Sequence, residues 1–79
     1  MNNLFNPPNT AADFVYFMEQ AWDADGSPNA VETIKRTKAK DAGPTVLSGE
    51  AAHTWVFPDG TKVFIADHGG AVSAGRHKQ

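Results

Sequence analysis

His53-Thr54-Trp55-Val56-Phe57-Pro58-Asp59-Gly60-Thr61-Lys62-Val63-Phe64-Ile65 has the pattern of a β-hairpin. Two runs of β-branched and aromatic residues flank Pro-Asp-Gly, the order of a type I turn closed by a glycine bulge. With Pro58 to Gly60 as the loop, Phe57 pairs with Thr61, Trp55 with Val63 and His53 with Ile65. Trp55, Phe57, Val63 and Ile65 then share one face, while Thr54, Val56, Lys62 and Phe64 take the other. A loop of Asp59-Gly60 alone would scatter the large apolar groups between faces, so burial selects the bulged register. A preceding strand, Thr45 to Ser48, is expected alongside, turning through Gly49-Glu50. Gly69-Gly70 ends the third strand, and the tail beyond it is small, polar and finally basic.

Near the N-terminus, the first helix follows Pro7-Pro8, which hold the chain extended. Thr10 is placed as its N-cap, and Asp13 puts negative charge in the first turn, where the helix dipole favours it. Phe14, Phe17, Met18, Ala21 and Trp22 recur at helical spacing and form one apolar face. Asp23-Ala24-Asp25-Gly26 ends the helix. A second, shorter helix is expected from Pro28 to Lys38, with Ser27 as cap and Ala30, Val31 and Ile34 as its apolar face. A strand from Val31 to Thr37 is the alternative. Lys35, Arg36, Lys38 and Lys40 form a cationic block, read as a solvated helix end or, more sharply, as a phosphate contact. Asp41-Ala42-Gly43-Pro44 reads as a chain break. The expected fold is α+β: an amphipathic helix and a second helix packed on a three-stranded antiparallel sheet, covering its Trp55 face.

At 79 residues the chain accommodates one small domain, with residues 1–9 expected extended and 74–79 frayed. No cysteine is present, which removes disulfides, thiolate metal sites and a cysteine nucleophile. The net charge of −2 argues against general attraction to nucleic acid or anionic lipid. Met1 to Asn9 carries no basic residue and does not resemble a secretion signal, so a cytoplasmic protein of a bacterial host is expected.

Candidate chemistry rests on histidines and acids. His53 lies at the start of the hairpin and Asp67-His68 at its far end, within one or two residue pairs of each other in the bulged register. His53, His68 and Asp67 are chemically able to hold a divalent ion, but no i, i+4 or His-x-His spacing presets them. No metal, cofactor or catalytic residue is assigned, and an enzyme is not expected. The sharper signal is charge placement. Residues 1 to 34 carry Asp13, Glu19, Asp23, Asp25 and Glu32 and no lysine or arginine. These five are the candidate partner-binding residues, suited to a cationic surface.

Two resemblances bear on function. Ala52 to Gly60, followed by Val63 to Gly70 with its His-Gly-Gly, resembles the core of the HicA-type toxin ribonucleases. That resemblance implies a ribonuclease in which His53 is the working histidine. The chain departs from the family in its acidity, in lacking a closing basic helix and in having no Gly-Ser before His53. In type rather than motif, a small acidic cysteine-free α+β domain also resembles the phage-borne anti-CRISPR proteins. This second resemblance implies stoichiometric binding to a large protein or ribonucleoprotein complex, such as a type I CRISPR effector, and loss of target-DNA binding. It implies no direct contact with nucleic acid or membrane. A phage accessory interaction protein is the third alternative.

Overall fold

The computed structural model describes residues 8–24 and 28–75. The described chain runs α1 (Ala11–Ala24), α2 (Ala30–Ile34), β1 (Lys40–Leu47), β2 (Glu50–Val56), β3 (Lys62–Ala66) and β4 (Val72–Ala74). The strands form one antiparallel meander in the order β1-β2-β3-β4. Both helices pack toward the same face, α1 on β3 and β4 and α2 on β3. The fold is therefore α+β in two layers, with four strands where the sequence reading expected three.

The hairpin register is the one that burial selects. His53 pairs with Ile65, Thr54 with Phe64 and Trp55 with Val63. Phe57 donates to Thr61 O and Gly60 donates back to Phe57 O, and Gly60 takes a φ of +92°, as the bulged loop requires. Trp55, Phe57, Val63 and Ile65 are all buried, together with Ala11, Phe14 and Met18 from α1 and Ala30 and Ile34 from α2. Phe14 and Phe57 meet as tilted rings with centroids 6.2 Å apart, which ties helix to hairpin.

The turn also anchors the helix. The Asp59 carboxylate accepts from both the backbone N–H and the hydroxyl of Thr61. Thr61 Oγ1 in turn accepts the Ala11 N–H at 2.9 Å, one of the orphan donors at the start of α1. Thr10 Oγ1 takes the Asp13 N–H at 3.1 Å, so Thr10 is the N-cap that its position predicted.

Four expectations are corrected. The second helix spans only Ala30–Ile34, not Pro28 to Lys38, and no strand forms at Val31–Thr37. Its cap is Asn29, whose side chain accepts from Val31 and Glu32; Ser27 and Gly26 lie outside the described residues. The helix stops early because Ile34 is its last apolar anchor and the Thr37 hydroxyl takes the Ile34 carbonyl. Second, the turn between the first two strands is Ser48-Gly49 rather than Gly49-Glu50. Both residues are left-handed, at φ 52° and 83°, which suits a two-residue hairpin loop.

Third, Asp41 to Pro44 is not a break but part of β1. Ala42 is an extra residue in the pairing, since Asp41 sits opposite Trp55 and Gly43 opposite Thr54. Gly43 reaches the φ of +117° that this β-bulge demands. Proline is tolerated because β1 is an edge strand.

Fourth, the tail supplies β4. Gly69, at φ +81°, donates to Ala66 O, Ala66 donates to Ala71 O, and Val72 comes back opposite Ile65. Ala74 still pairs with Val63 and Gly75 still donates to Lys62 O. Residues 1–7 and 76–79, within the ends read as extended and frayed, lie outside the described residues.

Candidate functional site

Two surfaces carry unspent chemistry. The first is the outer side of α1. Asp13, Tyr16, Glu19, Gln20 and Asp23 are exposed, on the side opposite buried Phe14 and Met18. Tyr16 is 65% exposed, a large ring left in water with acids three residues away on either side. None of the three carboxylates enters an ion pair among the described residues. Of the five acids singled out from the sequence, these three share a face. Glu32 is exposed on α2, a separate element, and Asp25 lies outside the described residues. The cationic block is exposed at Lys35, Arg36, Lys38 and Lys40, in the connection from α2 into β1.

The second surface is a cleft between α2 and the helix-facing side of the sheet. It has a volume of about 220 Å³ and is lined by Val31, Lys35, Asp41, His53, Trp55, Ile65 and Asp67. Val46, opposite Ala51 on this same face, is 68% exposed, which marks where helical cover ends. Trp55, Ile65 and Val31 make the apolar part of the wall. Trp55 is nine-tenths buried, and its indole N–H finds no acceptor among the described residues.

His53 is the hub of the cleft. Its Nδ1 lies 3.0 Å from both carboxylate oxygens of Asp41, and its Nε2 lies 3.9 Å from Asp67 Oδ1. The hydrogen bond to Asp41 holds the imidazole pKa above its ordinary value, against a partial desolvation penalty, and Asp67 adds a smaller Coulombic pull. Asp41 is held below the usual carboxylate range, first by His53 and then by the Gly43 N–H. That N–H donates to Asp41 Oδ1 at 2.8 Å, an Asx turn that braces the bulge.

The bulge is what makes the pair. Asp41 and Pro44 are three residues apart and would face opposite ways in a regular strand. With Ala42 inserted, Asp41 pairs opposite Trp55 and Pro44 opposite His53, so both lie on the His53 face. The sequence reading missed Asp41 because it took this segment for a break. The signal available was Asp-x-Gly, the Asx-turn pattern.

His53 and Asp67 come together as the register implied, but His68 does not join them. Its Nε2 bonds Glu50 Oε1 at 2.6 Å while its Nδ1 accepts the Gly70 N–H. The two histidines are thus held by different acids, and no group of three or more potential metal ligands is found among the described residues. No helix among the described residues is long and apolar enough to cross a membrane. Compared with protein-family models, curated proteins and solved structures, the chain matches none, so its function has to be read from its own geometry.

Proposed function

We propose that this protein works as a small non-enzymatic inhibitor that docks the acidic outer face of α1 on a cationic, nucleic-acid-binding surface of a large ribonucleoprotein. CRISPR effector complexes are the partner class, and blocked target-DNA binding is the outcome. One observation carries this reading: Asp13, Glu19 and Asp23 flank exposed Tyr16 with no basic residue anywhere in residues 1 to 34. A carboxylate face of this kind is complementary to channels that hold a phosphate backbone, and a central tyrosine supplies a rigid anchor. Glu32, on α2, and Asp25 add to the negative charge of the first 34 residues of the sequence. The experiment is target-DNA binding by a purified type I surveillance complex, with the protein at slight molar excess. Loss of DNA binding with co-elution supports the reading. Asp13→Lys/Glu19→Lys/Asp23→Lys should then abolish it and His53→Ala should not. No effect across several subtypes overturns it.

A HicA-like ribonuclease ranks second, favoured by the position of His53 on β2 in a cleft that Lys35 also lines. Two carboxylates flank the same imidazole, a poor seat for a phosphodiester, and β4 stands where a basic helix would close the fold. Toxicity on expression, relieved by His53→Ala, would restore that reading to first place.

A further inference from the structure

The His53 cleft lies apart from the α1 face and has its own chemistry. Asp41 accepts at Nδ1, which places the proton of neutral His53 on that nitrogen and leaves the Nε2 lone pair free. His53 Nε2 and Asp67 Oδ1 are then two acceptors 3.9 Å apart. Neither has another hydrogen-bond partner among the described residues. Beside them lies an apolar wall of Trp55, Ile65 and Val31, and the whole space is about 220 Å³, enough for one side-chain-sized molecule.

From this juxtaposition we infer that the cleft binds a guanidinium group on a short apolar stem. The planar cation bridges His53 Nε2 and Asp67 with two N–H donors, and the stem lies on the Trp55–Ile65 wall. Guanidinium is preferred over ammonium because its fixed fork reaches two separated acceptors at once. The charges facing His53 set the limits of the site. Asp41 comes from β1, Asp67 from the turn after β3 and Lys35 from the end of α2. The two carboxylates outweigh the lysine while the imidazole is neutral. Protonation of His53 removes the acceptor and adds a like charge, so binding weakens as pH falls through its titration.

The test is a heteronuclear NMR titration of the full chain with n-butylguanidinium, using butyrate as an anionic control with a short apolar stem. The expected result is saturable shifts centred on the Trp55 indole and the His53 ring, with a Kd on the order of 1 mM, as suits so few atoms. Asp67→Asn should weaken that Kd at least about tenfold, the loss of one charge-assisted hydrogen bond. Acidification below the His53 titration should weaken it further. Asp67 is exposed and its backbone bond to Ala51 is untouched by the change, so the variant should fold. Equal shifts from butyrate, no local shift up to the solubility limit, or indifference to both Asp67→Asn and pH would each overturn the assignment. An acetyl-Gly-Arg-Gly-amide arm separates the sources. Binding no tighter than butylguanidinium assigns a free small molecule, and binding at least tenfold tighter assigns an arginine presented by another protein.

Discussion

The outer face of α1 and the Asp41–His53 cleft were built by opposite routes. Asp13, Glu19 and Asp23 share a face because a single helix repeats every 3.6 residues, so the spacing alone places them. Asp41, His53 and Asp67 come from three different strands or their ends and meet only through pairing register and one inserted residue. The first surface leaves its acids without ion-pair partners among the described residues, whereas the second holds its charges against one another. A face that is idle in folding is free to bind. A cluster knotted into the sheet reports on the fold as well as on any ligand.

The largest effect expected on that contrast is at Trp55, which backs the cleft and belongs to the core. Trp55→Ala should cost about 3–5 kcal/mol in urea unfolding, enough to unfold a marginal small domain. Trp55→Phe should cost far less, because it also removes an indole N–H that is buried without an acceptor. A large loss in both variants would mean that the indole N–H is satisfied in solution.

Next is Gly69, at φ +81° with the Asn29 side chain where a Cβ would stand. Asn29 Nδ2 donates to His68 O and the Ala30 N–H to Gly69 O, so this turn carries the start of α2 and with it one wall of the cleft. Gly69→Ala should cost about 1–3 kcal/mol and shift the NMR signals of Val31 and Lys35. A silent substitution would show that α2 is not held there.

Deleting Ala42 tests the bulge itself. Without Ala42, a regular β1 keeps Asp41 opposite Trp55 and two residues from Pro44, on the His53 face, so the raised His53 pKa should be retained in an NMR titration. A fall toward 6.5 would show that the Asx turn of the bulge, and not register alone, holds Asp41 against His53.

The pH profile of the melting temperature follows from the same groups. His53 is raised above 6.5, so its contribution is complete below that pH and lost as pH rises through the folded value. Asp41 and Asp59 are lowered from 3.8, so theirs are present above that pH and lost as pH falls through the folded values. Stability should therefore be broadest between these limits, and Asp41→Asn should flatten the alkaline side.

The smallest folding effect should come from α1. Glu19→Lys and Asp23→Lys should each shift stability by no more than about 0.5 kcal/mol, even where binding is lost. A larger change would mean that the outer face is not idle.

Local repetition and turn chemistry made part of this protein legible from its residues alone. The α1 stripe, the Thr10 cap and the bulged register at Pro58-Asp59-Gly60 all follow from neighbouring residues, because helix period, capping and loop geometry act within a few positions. The hairpin register also set His53 near Asp67. The rest came from long-range pairing. β4 is three residues long and has no pattern of its own; it exists because Gly69 turns the chain back onto β3. Asp41 reaches His53 because an edge strand accepts a proline and a bulge, so residues that locally read as a break are carried by the neighbouring strand. Pairing across twelve residues in sequence supplies what local preference could not, and it was there that the cleft was made.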